Sequence, residues 1–281
     1  MTEAPAQRRI SLCADDYGMS EGVNRAIRDL IGKRRLSATS VMVVTPAFTR
    51  TEIDALKAAA GDQPDFAIGL HVTLTVPYHP LTMHFRPQKD GEFLKLGKFL
   101  QTAILRRLDV DILQAEITAQ IKAFIAVFGK APDYVDGHQH AQIFPQVRDA
   151  FVMAVKEHAP NAWVRQCGRG GQTQRQFKDA KSLMLDVLSV AFRERAARAG
   201  LRFNPAFAGA YNFSKKPDFA KLFERFLHRL PDGGLIMCHP GFVDATLVAL
   251  DSLTDQRKVE YDWLMSDDFP RLLAAQNVTL A

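Results

Sequence analysis

The chain has 281 residues, 47% of them hydrophobic and 24% charged, and carries a formal net charge of +5 at pH 7. This composition excludes disordered, collagen-like and low-complexity proteins. The three cysteines are too few for a disulfide framework and the uncharged apolar runs are too short to cross a membrane, so we expect a reducing compartment and neither a signal peptide nor a transmembrane segment.

Short apolar runs alternate with helical patterns along the first half of the chain. Strands are predicted at 10–14, 40–44, 66–70 and 134–136. Helices are predicted at 21–33, 50–60 and 111–128, with Ser20 as the N-cap of the first. Residues 75–98 contain several prolines and little periodicity, so they are predicted to form a long loop.

The same alternation continues through the second half. Helices are predicted at 144–158, 176–199, 217–230, 255–264 and 269–276. Strands are predicted at 162–165, 204–207, 234–238 and 278–280. The glycine-rich stretch 167–173 is expected to be mobile, and the segments 76–98 and 165–182 are candidates for shaping the mouth of a site.

Repeated strand–helix units imply a parallel sheet with crossover helices, either open and doubly wound or closed into a barrel. No Gly-x-Gly-x-x-Gly follows the first strand, which removes the usual argument for the open form. We therefore predict an α/β fold that is (β/α) barrel-like, either irregular or with fewer than eight strands. No linker-like stretch divides the chain, so residues 1–281 are expected to form one domain.

Acidic residues and histidines follow directly on four of the predicted strands. They are Asp15 and Asp16, His71, Asp136 with His138 and His140, and His239. In a barrel of parallel strands these ends open on one face, where active sites form. Taken singly, an aspartate there is most often a helix N-cap and a histidine a hydrogen-bonded polar residue. Taken together, they predict one shared site.

The adjacent carboxylates of Asp15 and Asp16 repel each other unless a cation lies nearby. One aspartate and two histidines form a common set of three metal ligands that leaves positions open for water and substrate. The other aspartate is then free to accept a proton from water that the metal acidifies. His138 and His140 would face the same way on an extended strand, so geometry alone does not choose between them.

Four stretches of the chain resemble the YdjC-like carbohydrate deacetylases, a family that includes the chito-oligosaccharide deacetylases. The stretches lie at 14–24, 69–75, 133–140 and 237–241, in the family's order. Arg257 and Glu260 fit the family's Arg-x-x-Glu pattern. The resemblance spans about residues 10–265 and implies a barrel-like fold, a divalent metal ion and removal of an acetyl group from an N-acetylglucosamine-type sugar.

The resemblance also implies roles for individual residues. Asp16, His71 and His138 match the metal ligands, Asp15 matches the catalytic base, and His239 matches the general acid. His140 matches a substrate contact, and Phe207 belongs to a weaker match with a Phe-x-Gly turn near the sugar site. One divalent ion is expected, with zinc preferred over magnesium because imidazole ligands suit first-row transition ions.

The substrate is expected to be either a soluble oligosaccharide or a glycosylated hopanoid lipid, since one subgroup of the family accompanies hopanoid biosynthesis. The mild basic charge fits solvated helix faces, with an anionic membrane leaflet as the alternative. We expect a cytoplasmic protein, with contact to the inner membrane and a homodimer as options. The absence of interleaved basic and aromatic residues argues against a nucleic-acid partner.

Two other classes compete with the deacetylase. Another metal-dependent amidohydrolase or phosphoesterase on the same scaffold would often hold two ions and need more carboxylates, for which Asp136 is the spare candidate. A non-catalytic carbohydrate-binding protein would not need an unligated base such as Asp15. Release of acetate from an N-acetylated sugar distinguishes the three classes.

Overall fold

The fold is built on a curved parallel sheet, in a computed structural model that describes residues 7–61, 63–170, 180–228 and 230–281. Its strands are β1 (Arg8–Tyr17), β2 (Ala38–Val41), β3 (Ala67–Val72), β4 (Tyr134–Gly137), β5 (Trp163–Val164), β6 (Phe207–Ala208) and β7 (Leu235–Cys238). Their order across the sheet is β5-β4-β3-β2-β1-β7-β6. A further short strand, β8 (Val278–Leu280), pairs in parallel with the first residues of β1.

Helices connect the strands, because parallel neighbours can be joined only by crossover connections. They are α1 (Glu21–Gly32), α2 (Arg50–Ala60), α3 (Leu96–Ile104), α4 (Val110–Phe128), α5 (Val147–His158), α6 (Ala180–Arg198), α7 (Phe219–Leu227), α8 (Ala245–Leu250), α9 (Asp255–Met265) and α10 (Asp268–Ala275). Among the described residues, no helix combines the length and the apolar character that a membrane span requires.

The segment 203–208 brings the two edges of the sheet towards each other. Phe203 forms a parallel bridge to Val164 in β5, while β6 pairs with β7. The side chain of Asn204 reinforces the junction, because it accepts from the backbone N of Gln166 at 2.9 Å and donates to its carbonyl at 3.1 Å. The prediction of a barrel-like α/β fold with fewer than eight strands in the main sheet is confirmed.

Most predicted elements are confirmed within a few residues. Helix α2 has the predicted bounds, and Ser20 caps α1 by accepting a hydrogen bond from the backbone N of Val23 at 3.2 Å. The predicted loop 75–98 is wrong at its end, because α3 begins at Leu96 and buries Phe99 and Ala103, which lie four residues apart. The short helix α8 is also missing from the prediction.

Two expectations fall partly on residues that the structure does not describe. The predicted helix 176–199 appears as α6 from Ala180 onward, and its first four residues lie outside the described residues. The expected mobile stretch 167–173 also extends past the last described residue before the gap, at position 170.

The core surrounds β1, which has neighbouring strands on both sides. Ile10, Leu12, Cys13 and Ala14 are completely buried, as expected for a parallel strand that is covered on both faces. All three cysteines are free and buried, in agreement with the predicted absence of a disulfide framework.

Gly69 in β3 permits a close contact that a larger residue would prevent. A Cβ atom at this position would lie 2.4 Å from the ring of Tyr134, which is buried in β4 and stacks on Trp163 with ring centroids 4.3 Å apart. The aromatic ring therefore occupies the space that any side chain at position 69 would need.

Gly69→Ala is expected to lower the free energy of unfolding by about 1–3 kcal/mol, because Tyr134 would have to move within a packed core. Gly97→Ala in α3 is the matched control, since no atom lies within 4 Å of its added Cβ. Urea unfolding of both variants measures the difference. Equal midpoints for Gly69→Ala and the wild type would contradict the proposed overpacking.

Candidate functional site

The carboxyl ends of four strands open into one cavity of about 870 Å³. Six of the seven site residues predicted from sequence line it, namely Asp15, Asp16, His71, His138, His140 and His239. Because the strands are parallel, their ends bring together side chains that lie far apart in the sequence. The seventh residue, Phe207, is not among the described residues that line the cavity.

Asp15 and Asp16 both reach the cavity, although neighbouring residues on a regular strand point to opposite faces. Asp16 has a left-handed backbone with φ of 73°, and the pairing of β1 with β2 shifts register at this point. The following turn is fixed by Gly18, whose φ is 101° and whose N donates to Asn24 Oδ1 at 2.6 Å. A Cβ at Gly18 would lie 2.7 Å from the carbonyl oxygen of Met42.

Asp16, His71 and His138 form a group of donor atoms that could hold one metal ion, since these atoms all lie within 4.8 Å of one another. Asp16 Oδ1 lies 3.3 Å from His71 Nε2 and 3.1 Å from His138 Nδ1. The other oxygen, Oδ2, accepts a hydrogen bond from Arg257 Nη2 at 2.7 Å. The donor set fits zinc or a related ion, because one carboxylate and two imidazoles are common zinc ligands.

Three buried carboxylates around this group face two guanidinium groups and the imidazole of His71, whose pKa Asp136 and Asp15 raise to about 10 against the opposing effect of burial. Asp15, Asp16 and Asp136 face the guanidinium groups of Arg165 and Arg257, and each of these side chains is at most 2% exposed. Burial alone raises the pKa of Asp16, but Arg257 and the imidazoles outweigh it and hold the pKa well below its ordinary value. The carboxylate therefore stays ionised and available to a cation.

A second group of possible metal ligands, Cys13, Asp15 and Asp136, already surrounds a cationic side chain, the guanidinium group of Arg165. Arg165 pairs with both carboxylates and lies 3.2 Å from Cys13 Sγ through Nη2. Burial also raises the pKa of the Cys13 thiol well above its ordinary value, so the thiol stays protonated. This second group is therefore a salt-bridge cluster and does not fit a metal ion.

Asp15 is held by a bidentate ion pair at the floor of the cavity. Its Oδ2 accepts from Arg165 Nη1 at 2.7 Å and its Oδ1 accepts from Nη2 at 2.5 Å. Burial raises the pKa of Asp15, but Arg165 and His71 outweigh it, and the net shift is downward. Oδ1 also accepts from Ser40 Oγ at 3.2 Å and Cys13 Sγ at 3.4 Å, whereas Arg165 is the one hydrogen-bond donor to Oδ2 among the described residues, so Oδ2 can still accept a hydrogen bond from the cavity.

His239 follows β7, and its backbone N donates to Glu260 Oε2 at 2.6 Å. The ring packs edge-on against Phe213, with ring centroids 5.3 Å apart. Burial lowers the pKa of His239 to about 4, so the imidazole is neutral at pH 7. Its Nδ1 is buried and has no hydrogen-bond partner among the described residues.

Helix α9 supports the site through Arg257 and Glu260. Arg257 and Glu260 lie three residues apart, so they share one face of the helix and reach Asp16 and the backbone of His239. Tyr211, which lines the cavity, donates its hydroxyl proton to Glu260 Oε1. Burial raises the pKa of Glu260 to about 7.

The two histidines after β4 separate, and the assumption of an extended strand through both is wrong. The strand ends at Gly137, and Gln139 and His140 have left-handed φ values of 55° and 60°. His138 consequently meets Asp16, whereas the ring of His140 packs against Phe207 with centroids 5.4 Å apart. A tight turn after the strand thus selects His138 for the metal-ligand group.

Several residues at the site were missed or misplaced by the sequence analysis. Phe207 is 1% exposed and lies behind His140, while the aromatic side chains at the cavity wall are Tyr211 and Phe213. Arg165 was assigned only to a predicted strand. Its signal is a charged residue at the end of an apolar run, the same pattern that identified the acids.

Sequence comparisons place the chain among known proteins. The model of the family described as YdjC-like protein matches residues 9–275. Chitooligosaccharide deacetylases from Yersinia pestis and Yersinia pseudotuberculosis are each 30% identical to the chain over 237 residues, which cover 84% of this chain and 82% of the relative.

Comparison with solved structures supports the fold. A protein from Enterococcus faecalis V583, whose name assigns it provisionally to cellobiose-phosphate cleavage, is 18% identical with a TM-score of 0.75, covering 98% of this chain and 97% of its own. A peptidoglycan N-acetylglucosamine deacetylase is 11% identical with a TM-score of 0.51, covering 98% of this chain and 86% of its own.

Glu260→Gln is expected to change how stability depends on pH. The carboxyl group titrates at its ordinary value of 4.5 in the unfolded chain and near 7 in the folded protein. The folded state therefore holds the proton more tightly. This residue's contribution to the free energy of unfolding decreases as the pH rises from 4.5 to 7 and is level above that range.

Urea unfolding of the wild type and Glu260→Gln across this pH range measures the effect. The wild type is expected to lose stability relative to the variant as the pH rises. Parallel stability curves would show that burial does not raise the pKa of Glu260.

Proposed function

Because the chain belongs to the YdjC-like family, we propose that it is a carbohydrate N-deacetylase, a hydrolase that removes the acetyl group from an N-acetylglucosamine-type sugar. One observation carries this proposal: an ionised, buried Asp15 lies in the same cavity as the Asp16, His71 and His138 group. The names of the chitooligosaccharide deacetylases among its relatives support the substrate class.

Asp16, His71 and His138 would hold one divalent cation, with zinc preferred and magnesium as the alternative. When bound, such an ion supplies Lewis acidity towards water and towards an amide carbonyl. The ionised carboxylate of Asp16 and the ring nitrogens of the two histidines, all within 4.8 Å of one another, support binding of a cation at this position.

Asp15 is the proposed general base, which takes a proton from the attacking water. The ion pair with Arg165 keeps the carboxylate ionised and fixes its position before the reaction. His239 is the proposed acid: because its imidazole is neutral at pH 7, it first takes up a proton and then passes it to the nitrogen as the C–N bond breaks. Acetate and a free amine leave, and the proton removed from water is balanced by the proton gained by the amine.

The cavity is the proposed binding site for the sugar. Its volume of about 870 Å³ lies in the range of about 300–1,000 Å³ that is usual for small-molecule sites. Tyr211 and Phe213 supply aromatic surface beside His239, and most other described lining residues are polar. This lining supports a saccharide in the cavity, with polar groups for its hydroxyls and aromatic surface for its ring.

The contacts of Asp136 count against a two-ion amidohydrolase or phosphoesterase. One of its oxygens contacts His71 and the other pairs with Arg165, so it has no oxygen free to bridge a second ion. A non-catalytic carbohydrate-binding protein would gain nothing from a buried, ionised Asp15 at the floor of its binding site. Both alternatives are therefore less well supported than the deacetylase.

Asp15→Asn is expected to reduce acetate release from N,N′-diacetylchitobiose by about 10²–10⁴-fold, because the amide cannot accept the proton from water. Its metal content should equal that of the wild type, since Asp15 lies outside the ligand group. Asp54→Asn, at an exposed ion pair with Arg50, is the control and should keep full activity. Substantial turnover by Asp15→Asn would remove Asp15 from the role of base.

His71→Ala and His239→Ala are expected to separate metal binding from proton transfer. His71→Ala should lose the metal and the activity together, because one of three ligands is gone. His239→Ala should lose most of the activity while the metal stays bound. Elemental analysis of the purified variants, alongside the acetate assay, tests both expectations, and a full complement of metal in His71→Ala would refute the ligand assignment.

A further inference from the structure

We propose that Asp136 is a positioning residue that couples the candidate metal site to the proposed base, Asp15. It does so by fixing which nitrogen of His71 faces Asp16 and by holding Arg165 against Asp15. This inference rests on the proposed function, and it assigns to Asp136 a role in both metal affinity and turnover.

The first half of the coupling is the contact between Asp136 and His71. The register of β3 and β4 places the two residues directly opposite each other, and Asp136 Oδ1 lies 2.6 Å from His71 Nδ1. A buried carboxylate at this distance requires a proton on Nδ1. Nε2, the nitrogen 3.3 Å from Asp16, is then the ring nitrogen that would bind a cation after losing its proton.

The contacts of Ser40 also indicate that His71 carries a proton on Nδ1. Its hydroxyl lies 3.1 Å from His71 Nδ1 and donates to Asp15 Oδ1 at 3.2 Å. Because the hydroxyl proton is directed at Asp15, Ser40 can only accept from Nδ1. Both neighbours of Nδ1 are therefore acceptors, and the stronger of them is the Asp136 carboxylate.

The second half of the coupling is the ion pair between Asp136 and Arg165. Val135 in β4 pairs with Val164 in β5, so Asp136 and Arg165, the residues that directly follow them, also lie opposite each other. Asp136 Oδ2 pairs with the guanidinium group, which extends to Asp15 on β1 at 2.5 and 2.7 Å. The acid thus anchors one end of the cation that fixes the base.

No exposed group can replace Asp136 in these contacts. Asp136 and Arg165 are fully buried, and His71 and Asp15 are at most 2% exposed. Removal of the carboxylate would leave Asp15 as the one carboxylate that pairs with Arg165 among the described residues, and would leave the Ser40 hydroxyl, the weaker acceptor, as the remaining partner of His71 Nδ1. Buried polar groups that lose a partner are not rescued by solvent.

The test compares Asp136→Asn and Asp136→Ala with the wild type. Zn²⁺ affinity is measured by competition with a chromophoric chelator, Co²⁺ binding by visible absorption, and kcat by acetate release. Asp136→Ala should lower Zn²⁺ affinity about 10–100-fold, shift the Co²⁺ absorption and reduce kcat. Asp136→Asn keeps an oxygen that can accept from His71, so its affinity should fall by less than that of the alanine variant while its kcat still falls.

Asp186→Asn is the matched control, because Asp186 also forms a largely buried ion pair with an arginine, Arg169. It is expected to lower thermal stability and to leave the Zn²⁺ affinity and the Co²⁺ spectrum unchanged. A loss of metal affinity in this control equal to that of the Asp136 variants would overturn the proposal, because the effect would then reflect general destabilisation.

Other outcomes separate this inference from the proposed function. A wild type that binds Zn²⁺ and releases acetate, together with Asp136 variants that match it in affinity and kcat, overturns the inference alone. A wild type that binds no cation overturns both. If Asp136→Ala does not fold, Asp136→Asn decides, and a kcat within twofold of the wild type would count against the coupling.

Discussion

The site depends on the balance of buried charge around Arg165. The guanidinium group pairs with Asp15 and Asp136, and all three side chains are almost completely removed from solvent. Burying such charges is costly unless each has a partner in good geometry. The two carboxylates can occupy neighbouring positions only because Arg165 lies between them, and this arrangement leaves Asp15 ionised at the floor of the cavity.

Backbone geometry at the strand ends converts a regular sheet into a site with several convergent side chains. Because the backbone of Asp16 is left-handed, the carboxylates of Asp15 and Asp16 both face the same cavity. Two left-handed residues after β4 direct His138 towards Asp16 and His140 towards Phe207. Non-glycine residues adopt this conformation at a cost of about 1–3 kcal/mol each. Surrounding packing and hydrogen bonds, such as that from Gly18 to Asn24, hold the turn in place.

The sheet and helix α9 both support the site. Strand β4 supplies Asp136, which contacts His71, and Arg165 directly follows β5 and contacts Asp15. Helix α9 supplies Arg257 to Asp16 and Glu260 to the backbone of His239. The side chains proposed to bind metal and move protons are therefore oriented by buried ion pairs and hydrogen bonds, which favours a preorganised site.

The sequence alone determined the order of strands and helices and the acids and histidines that follow the strands. This was possible because apolar periodicity is local and parallel strands end on one face, so Asp15, His71 and His239 could be assigned to one site. Tertiary structure decided the partner of Asp15, the separation of His138 from His140, and the position of Tyr211 and Phe213 at the wall in place of Phe207. These depend on contacts such as that from Arg165 to Asp15, 150 positions apart, and on turns whose left-handed residues are not glycine. Such contacts form only when the sheet curves and its edges approach each other, and no local pattern encodes that closure.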